Sequence, residues 1–454
     1  MNALEAVSED AASCEKQRPL FRPQLKVLFV SRLLAMPDHH GGCVYADAVL
    51  RHLHERGCEI LYVWLADPLS PTKPFMRMPQ LGSHISRFFV PNAIVIGRWM
   101  WCCRSSAWLC LPSYLLRKGM AKLRKKHVEP DPNHQAGAAT EPTAAEVAFL
   151  QGLLESEAPD AVFVDMTEIA NVLNGGSVGK TTPPLKLVLT HNVIHQRVAA
   201  YRKNRIALDF LPLTREQETV LLGKADVIVA IQHTEAAEFR AMLPQKKVVV
   251  VSMPATPHIL PASAQVEGRC MFVGGATAHN VDGLIWLLEK IWPSVRRNIP
   301  NATLVICGAV GGFVKRPHPG VNILGNVPKL DQLYAEASVC LVPLRTGSGL
   351  KIKLIEAMRF GRAAVATAAG VEGFSDLEQG SVLPVTDSAE DFAARIVALL
   401  TDATLRETSV ARQTAWITEN LSADSAIGPL WEIIRNHAAK RPVRRSAWRR
   451  ANDA

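Results

Sequence analysis

Short, continuous apolar runs bounded by turn-forming residues recur along this chain, separated by segments with helical spacing. Residues 25–30 (LKVLFV), 59–64 (EILYVW), 161–165 (AVFVD), 185–190 (LKLVLT), 225–230 (ADVIVA) and 247–251 (KVVVV) form the first set. Unbroken runs of this length are expected of parallel strands covered on both faces, where alternation would leave polar side chains buried. Between them lie helical stretches such as 44–57 (VYADAVLRHLHERG), which stops at a glycine. Three prolines among small and polar residues then interrupt the pattern at 253–268 (MPATPHILPASAQVEG), which reads as a linker. The alternation restarts at 269–274 (RCMFVG), 302–308 (ATLVICG), 321–325 (VNILG), 338–344 (SVCLVPL), 363–368 (AAVATA) and 381–385 (SVLPV). The pattern predicts an α/β chain of two doubly wound, Rossmann-like domains facing a central cleft. The expected boundaries are a disordered lead-in at 1–23, a first domain at 24–256, a hinge at 257–268 and a second domain at 269–405. A C-terminal helix and basic tail are expected at 406–454.

Residues 67–145 fit no strand–helix unit and are expected as an insertion in the first domain. Aromatic residues and cysteines there mix with Arg98, Arg104, Arg117, Lys118, Lys122, Arg124, Lys125 and Lys126. Two readings stay open: a helix lying on an anionic bilayer, or a helical hairpin packed on its own domain. Its most apolar part, 93–116, is broken by Arg98, Arg104 and Pro112, too soon to span a bilayer.

Composition sharpens this picture modestly. With 48% hydrophobic and 20% charged residues over 454 positions, the chain has the make-up of a well-cored globular protein of two or three domains. Its net charge of +9 points to an anionic partner. The basic clusters at 117–127 and 440–450 lack the interleaved aromatics of single-strand binders, so nucleic acid is not expected. Solvated basic surface is the plain alternative for both clusters. Nine cysteines without a CxxC pattern suit reduced, buried thiols in a cytoplasmic protein. The first twenty-odd residues carry no apolar stretch and are expected as a lead-in, not a signal peptide.

Candidate chemistry gathers at four places. Residues 174–181 (NGGSVGKT) approach a phosphate-binding loop, but one spacing is short and prolines follow where a helix would have to start. That stretch is expected as a surface loop. No GxGxxG follows any opening strand, which removes the main support for a dinucleotide-dependent dehydrogenase. After the first strand, residues 37–42 (PDHHGG) precede a helix, where Gly41 and Gly42 allow backbone amides to approach a ligand. Many such turns carry glycine for structural reasons alone. His191 stands at the carboxyl end of strand 185–190, where ligand-contacting residues collect in open sheets. His195, four residues on, competes with it, and either histidine can be a structural hydrogen-bonder. The fourth place is 346–370 (TGSGLKIKLIEAMRFGRAAVATAAG). There Gly347, Ser348 and Gly349 form a turn after strand 338–344, and a following helix offers free amides to an anion. Lys353 and Glu356 share one face of that helix. The lysine can neutralise a phosphate, and the carboxylate can accept hydrogen bonds from a ribose diol. The plain alternative is a surface ion pair worth about 0.2–0.5 kcal/mol.

From these residues the chain resembles the family 4 retaining glycosyltransferases of the GT-B fold, of the bacterial polysaccharide-biosynthesis type. FVGGATAHNVDGLIWLLEKIWP resembles that family's donor-domain opening, and NVPKLDQLYAEASVCLVPLRTGSGLKIKLIEAMRFGRAAVATAAGVEGF its donor-binding core. The first domain is similar through PDHHGG and THNVIHQR. The resemblance implies that Glu356 binds the donor ribose, Lys353 the diphosphate, and Val327 lies by the nucleobase. It places Gly274, Gly275, Gly347, Ser348 and Gly349 at the donor, Gly41 and Gly42 by the donor phosphates and acceptor, and His191 against the donor sugar. Two departures stand out. Ser348 occupies a position often glutamate, and after Gly274 and Gly275 the chain offers His279, Asn280 and Asp282 in place of an arginine and a lysine. Phosphate neutralisation is then left to Lys353, with Lys351 and Arg345 as helpers. The resemblance implies a nucleoside-diphosphate-sugar as co-substrate, no cofactor, no metal, and a saccharide or lipid-linked acceptor. It implies a cytoplasmic enzyme with peripheral contact on the inner face of the cytoplasmic membrane. A non-catalytic GT-B protein that binds a sugar nucleotide or a partner is the alternative.

Overall fold

The computed structural model describes residues 25–36, 41–66, 69, 74–78, 80–116, 141–174, 183–203, 208, 210–327, 329–346 and 351–440. The lead-in 1–23, the basic run 117–127, nearly all of the phosphate-loop-like stretch, the turn Gly347, Ser348 and Gly349, and the tail beyond 440 lie outside these residues.

Two parallel sheets carry the chain. The first runs β10-β9-β8-β7-β1-β2-β4, from strands β1 (Lys26–Ser31), β2 (Glu59–Trp64), β4 (Arg87–Phe89), β7 (Ala161–Asp165), β8 (Leu185–Leu189), β9 (Val227–Ala230) and β10 (Lys247–Val250). The second runs β13-β12-β11-β14-β15, from β11 (Arg269–Val273), β12 (Thr303–Cys307), β13 (Val321–Gly325), β14 (Val339–Val342) and β15 (Ala363–Ala366). Every pairing in both sheets is parallel. The central strands are buried along almost their whole length, because helices cover both faces. Helix Gly41–Glu55 follows β1 as the first such cover, with Tyr45, Val49, Leu50 and Leu53 in the core.

Three expectations change. Residues 381–385 form no strand and touch the sheet only through a bridge from Ala366 to Val385, since Pro384 has no N–H to give a ladder. The C-terminal region is two helices, Ala403–Asn420 and Ala423–Ala439, because the Ser422 side chain accepts the Ser425 N–H and starts a new helix. The insertion is not helical through 93–102. It contains an antiparallel sheet, β3-β6-β5, from β3 (Phe75–Arg77), β5 (Ala93–Ile96) and β6 (Trp99–Cys102). The alternation in WMWC, exposed then buried, has the period of a strand and not of a helix.

The segment between the sheets is held, not loose. Buried Arg362 donates to the carbonyls of Leu260 (3.0 Å) and Pro261 (3.2 Å), and the His258 N–H reaches Arg359 O at 2.7 Å. The Ala255 N–H donates to Leu421 O at 2.7 Å, just before the last helix. That helix returns to the first domain, where Asp424 pairs with Arg56 and Ile427, Leu430 and Ile434 join the core containing Leu50 and Leu53.

Glycine is required where β11 and β12 end. Gly308 has φ +95°, and a Cβ there would stand 2.2 Å from Gly274 O. Gly308→Ala is expected to lower stability by about 1–3 kcal/mol in urea unfolding. Gly312→Ala, four residues on in open space and without positive φ, should stay within about 0.5 kcal/mol of wild type.

Candidate active site

In a parallel sheet all carboxyl ends lie at one edge, and a crevice opens where neighbouring connections diverge. In the first sheet that point is at β1, flanked by β7 and β2. Three polar residues meet there from three strand ends. Asp165, the last residue of β7, accepts Ser31 Oγ–H through Oδ2 at 2.6 Å. Its Oδ1 stands 2.6 Å from Nε2 of His191, two residues past β8. Asp165 is 2% exposed and Ser31 fully buried. The Cε1–Nδ1 edge of His191 faces Gly42, where a Cβ would approach both atoms to 3.3 Å. The Tyr45 ring meets the imidazole edge-on at 5.7 Å. Burial opposes charging His191, but the charge and hydrogen bond of Asp165, with Glu168 and Glu235 behind, more than offset it and raise its pKa. The neighbouring backbone is strained: Met166 has φ +84°, a conformation a side chain of this size rarely adopts.

At the second sheet the same edge carries cations. Helix Ile352–Arg359 follows β14 and buries Leu354, Ile355, Ala357 and Met358. Lys353 Nζ donates to Asn280 Oδ1, and Asn280 Nδ2 donates to Gly275 O at 3.1 Å. Burial, and next the charge of Lys351, bring Lys353 down to a pKa of about 7, against the pull of Glu356. Lys351 is buried 3.6 Å from Glu372 and is also lowered, chiefly by burial. Glu356 accepts the Tyr334 hydroxyl at 3.2 Å, and burial raises its pKa. His279 falls to about 3, through burial and then the charges of Lys353, Arg197 and Lys351, so its ring is neutral.

The two faces touch. Tyr201 of the first domain meets His279 Nδ1 at 2.9 Å, and Arg197 donates to the Tyr201 hydroxyl at 3.2 Å. Gly373 packs on Gln232, where a Cβ would stand 2.0 Å from Oε1.

Among the expected site residues, His191 and Gly42 come together on the first face, with Gly41 opening the same helix. On the second face Lys353 and Glu356 share one helix, while Lys353 and Gly275 join through Asn280. Gly274 lies against Asn280, its Cβ position 3.2 Å from Asn280 Cγ. Val327 is half-buried just past β13, at the same sheet edge. Arg345 is not a free helper but pairs with Asp282 (Nε to Oδ2, 3.0 Å). His195 is tied to Glu218 at 2.7 Å, which also accepts the Ile194 and His195 amides. Sequence reasoning missed Asp165, Ser31, Tyr334, Arg197 and Tyr201. Asp165 was findable: a carboxylate ending an apolar strand stands where His191 does. The others had no signal, since their partners are distant in sequence. Among the described residues no group of three His, Cys, Asp or Glu side chains gathers to hold a metal ion.

Residues 267–402 match the family model of glycosyl transferases group 1. An uncharacterized 44.6 kDa protein in the cps region of Klebsiella pneumoniae is 30% identical over 139 residues, 28% of this chain. The chain spans only 36% of that relative's length. Sucrose-phosphate synthase from Thermosynechococcus elongatus superposes with a TM-score of 0.62 at 14% identity, over 91% of this chain and 99% of that one. HepE from Anabaena, solved with UDP and glucose, gives 0.58 at 12% identity, over 91% and 100%. WaaG, a glycosyltransferase involved in lipopolysaccharide biosynthesis, gives 0.53 at 14%, over 90% and 99%. The architecture is therefore that of the GT-B glycosyltransferases, two Rossmann-like domains with the group 1 glycosyl transferase signature in the second.

The Asp165 pairing has a direct readout. In Asp165→Asn the main charge raising His191 is gone, so a ring titration followed by NMR should show the His191 pKa below its wild-type value. An unchanged titration would mean that Asp165 does not set the protonation of this ring.

Proposed function

We propose that this protein is a retaining glycosyltransferase, moving a sugar from a nucleoside-diphosphate-sugar to a saccharide or lipid-linked acceptor in polysaccharide or glycolipid assembly. The observation that carries the reading is the pairing of two unlike faces. A carboxylate-held histidine at one sheet edge stands in a fold whose other sheet edge carries a buried lysine, a half-buried one and a hydroxyl-bonded glutamate. The group 1 glycosyl transferase match supports it, and so do GT-B relatives solved with UDP or involved in lipopolysaccharide biosynthesis.

In this reading the leaving group is a nucleoside diphosphate, and negative charge grows on its phosphate oxygens as the glycosidic bond breaks. Lys353 and Lys351 sit ready to neutralise that charge without a metal, in a partly dry site where the interaction is strong. Glu356, held by Tyr334, takes the ribose hydroxyls, and Val327 and the turn at Gly347, Ser348 and Gly349 border the nucleotide. Gly274 and Gly275 leave room for it at the end of β11. His191 holds the donor sugar by hydrogen bonding, its ring fixed by Asp165, while Gly41 and Gly42 keep the neighbouring helix start close. Attack on the departing face gives retention at the anomeric carbon. The enzyme works in the cytoplasm, on acceptors at the inner membrane surface. Among the described residues no helix is long and apolar enough to cross a membrane.

Three experiments test this. His191→Ala should reduce transfer by at least about 100-fold while donor binding stays largely intact, because the histidine positions the sugar and not the nucleotide. Equal transfer by wild type and variant would refute the assigned role, and a wild type that binds donor but never transfers would favour a non-catalytic binding protein. For the donor itself, a thermal-shift panel of UDP, GDP, dTDP and ADP identifies the nucleotide that stabilises the fold. Lys353 is partly deprotonated at neutral pH, and a diphosphate beside it raises its pKa. Binding of that nucleotide should therefore take up protons above about pH 7, and affinity should fall as pH rises across that window. Calorimetry in two buffers of different ionisation enthalpy measures the uptake, which Lys353→Ala should remove.

A further inference from the structure

The outer face of the small antiparallel sheet is an apolar plate that no other described residue covers. Of the seventeen exposed large hydrophobic residues among those described, eight fall within 94–116. That concentration is not the scatter of single apolar residues found on any surface. Strand register brings them together: Ile94 stands opposite Trp101 and Ile96 opposite Trp99. All four point away from the core, while Met100 and Cys102 between them are buried in it. Trp108 stacks on Trp101 at 5.9 Å, and its indole N–H is already donated to Cys102 O at 2.9 Å. Leu109 beside it is 84% exposed. The plate is thus ordered by backbone pairing and ring stacking, and it presents apolar surface.

Its charge surroundings select the partner. Along the sequence between Asp67 and Glu129 the chain has eleven lysines and arginines and no carboxylate, and four of these cations, Arg77, Arg87, Arg98 and Arg104, are among the described residues. Exposed Arg77 lies opposite Trp99 in the β3–β6 register, and exposed Arg98 forms the turn joining β5 to β6. A second copy of this chain would bring the same cations face to face in a two-fold pairing, which disfavours self-association. An anionic bilayer offers what the plate lacks, acyl chains for the apolar rings and headgroup phosphates for the arginines. Tryptophan settles at that boundary because its ring is large and amphipathic.

We propose that the Ile94–Ile96–Trp99–Trp101–Trp108 face of the β3-β6-β5 sheet docks the protein on the surface of anionic membranes. The plate lies in the first domain, sharing its core with β2 through Met100, Cys102, Tyr62 and Trp64, so docking fixes this domain against the bilayer. The proposal stands apart from the transfer reading, since an inactive chain would dock equally well.

The test is co-flotation of the full-length chain with vesicles of phosphatidylcholine alone or mixed with phosphatidylglycerol. Wild type should float with the mixed vesicles. Trp99→Ser/Trp101→Ser should weaken that binding at least about tenfold, and Arg77→Gln/Arg98→Gln about tenfold on the anionic vesicles. Melting temperatures near wild type would show that these exposed positions leave the fold intact. The proposal fails if wild type floats with neither vesicle, or if both plate variants float as wild type does. It also fails if only a Lys122→Gln/Arg124→Gln/Lys125→Gln/Lys126→Gln variant loses flotation, which would assign docking to that segment. Should wild type be dimeric in light scattering, with Trp99→Ser/Trp101→Ser monomeric and still floating, the plate is a protein interface instead.

Discussion

The Asp165 carboxylate is the tie on which the first half of the site depends. It is almost wholly shielded from water and accepts from Ser31 and His191, which belong to the ends of two other strands. A buried carboxylate without partners is costly, so the three strand ends are held together by the need to satisfy it. The same bond fixes the imidazole plane and presents its other edge toward Gly42, where only a glycine leaves ordinary contact distance. The strained backbone at Met166 directly follows this carboxylate. The usual reading of such strain is a conformation over-determined by its surroundings, here by the sheet on one side and the bonds of Asp165 on the other.

The second half of the site is built from the opposite charge and is held under tension. Burial lowers both lysines, the charge of Lys351 lowers Lys353 further and that of Arg197 lowers Lys351, and the carboxylates of Glu372, Glu235 and Glu356 offset this only in part. Asn280 occupies Lys353 with a neutral oxygen, a partner that an anion can replace without leaving a charge behind. Neutral His279 stands between these lysines and Arg197 of the first domain, so cations from both domains converge on one region. Convergence of cations from two domains is the arrangement that preorganised electrostatic sites use for anions.

The resemblance of 346–370 to a donor-binding core found its lysine and glutamate correctly on one helix, because three-residue spacing on a helix is a local property. What surrounds them was not legible. Tyr334, which donates to Glu356, lies 22 residues away, and Asn280, which holds Lys353, lies 73 away. Nothing in the spacing of either pair predicts contact. Arg345 looked available in the sequence and is occupied by Asp282 in the fold. His191 and His195 looked equivalent, and their partners separated them: Asp165 for one, Glu218 for the other.

The sequence by itself determined that this chain makes two parallel, helix-covered sheets, because unbroken apolar runs between turn residues have no other stable use. It also determined which strand ends would carry polar residues. Only the tertiary structure decided how those ends are brought together, since strand order is set by long-range packing and β7 lies beside β1 across 134 residues. The insertion shows the same limit. Its arginines and tryptophans were plain in the sequence, but over 93–102 strands replace the expected helix, because β-pairing of 75–77, 93–96 and 99–102 depends on partners that local propensity does not see. That pairing alternates the side chains, and it is the alternation that leaves one face in the core and one face of tryptophan and isoleucine in water.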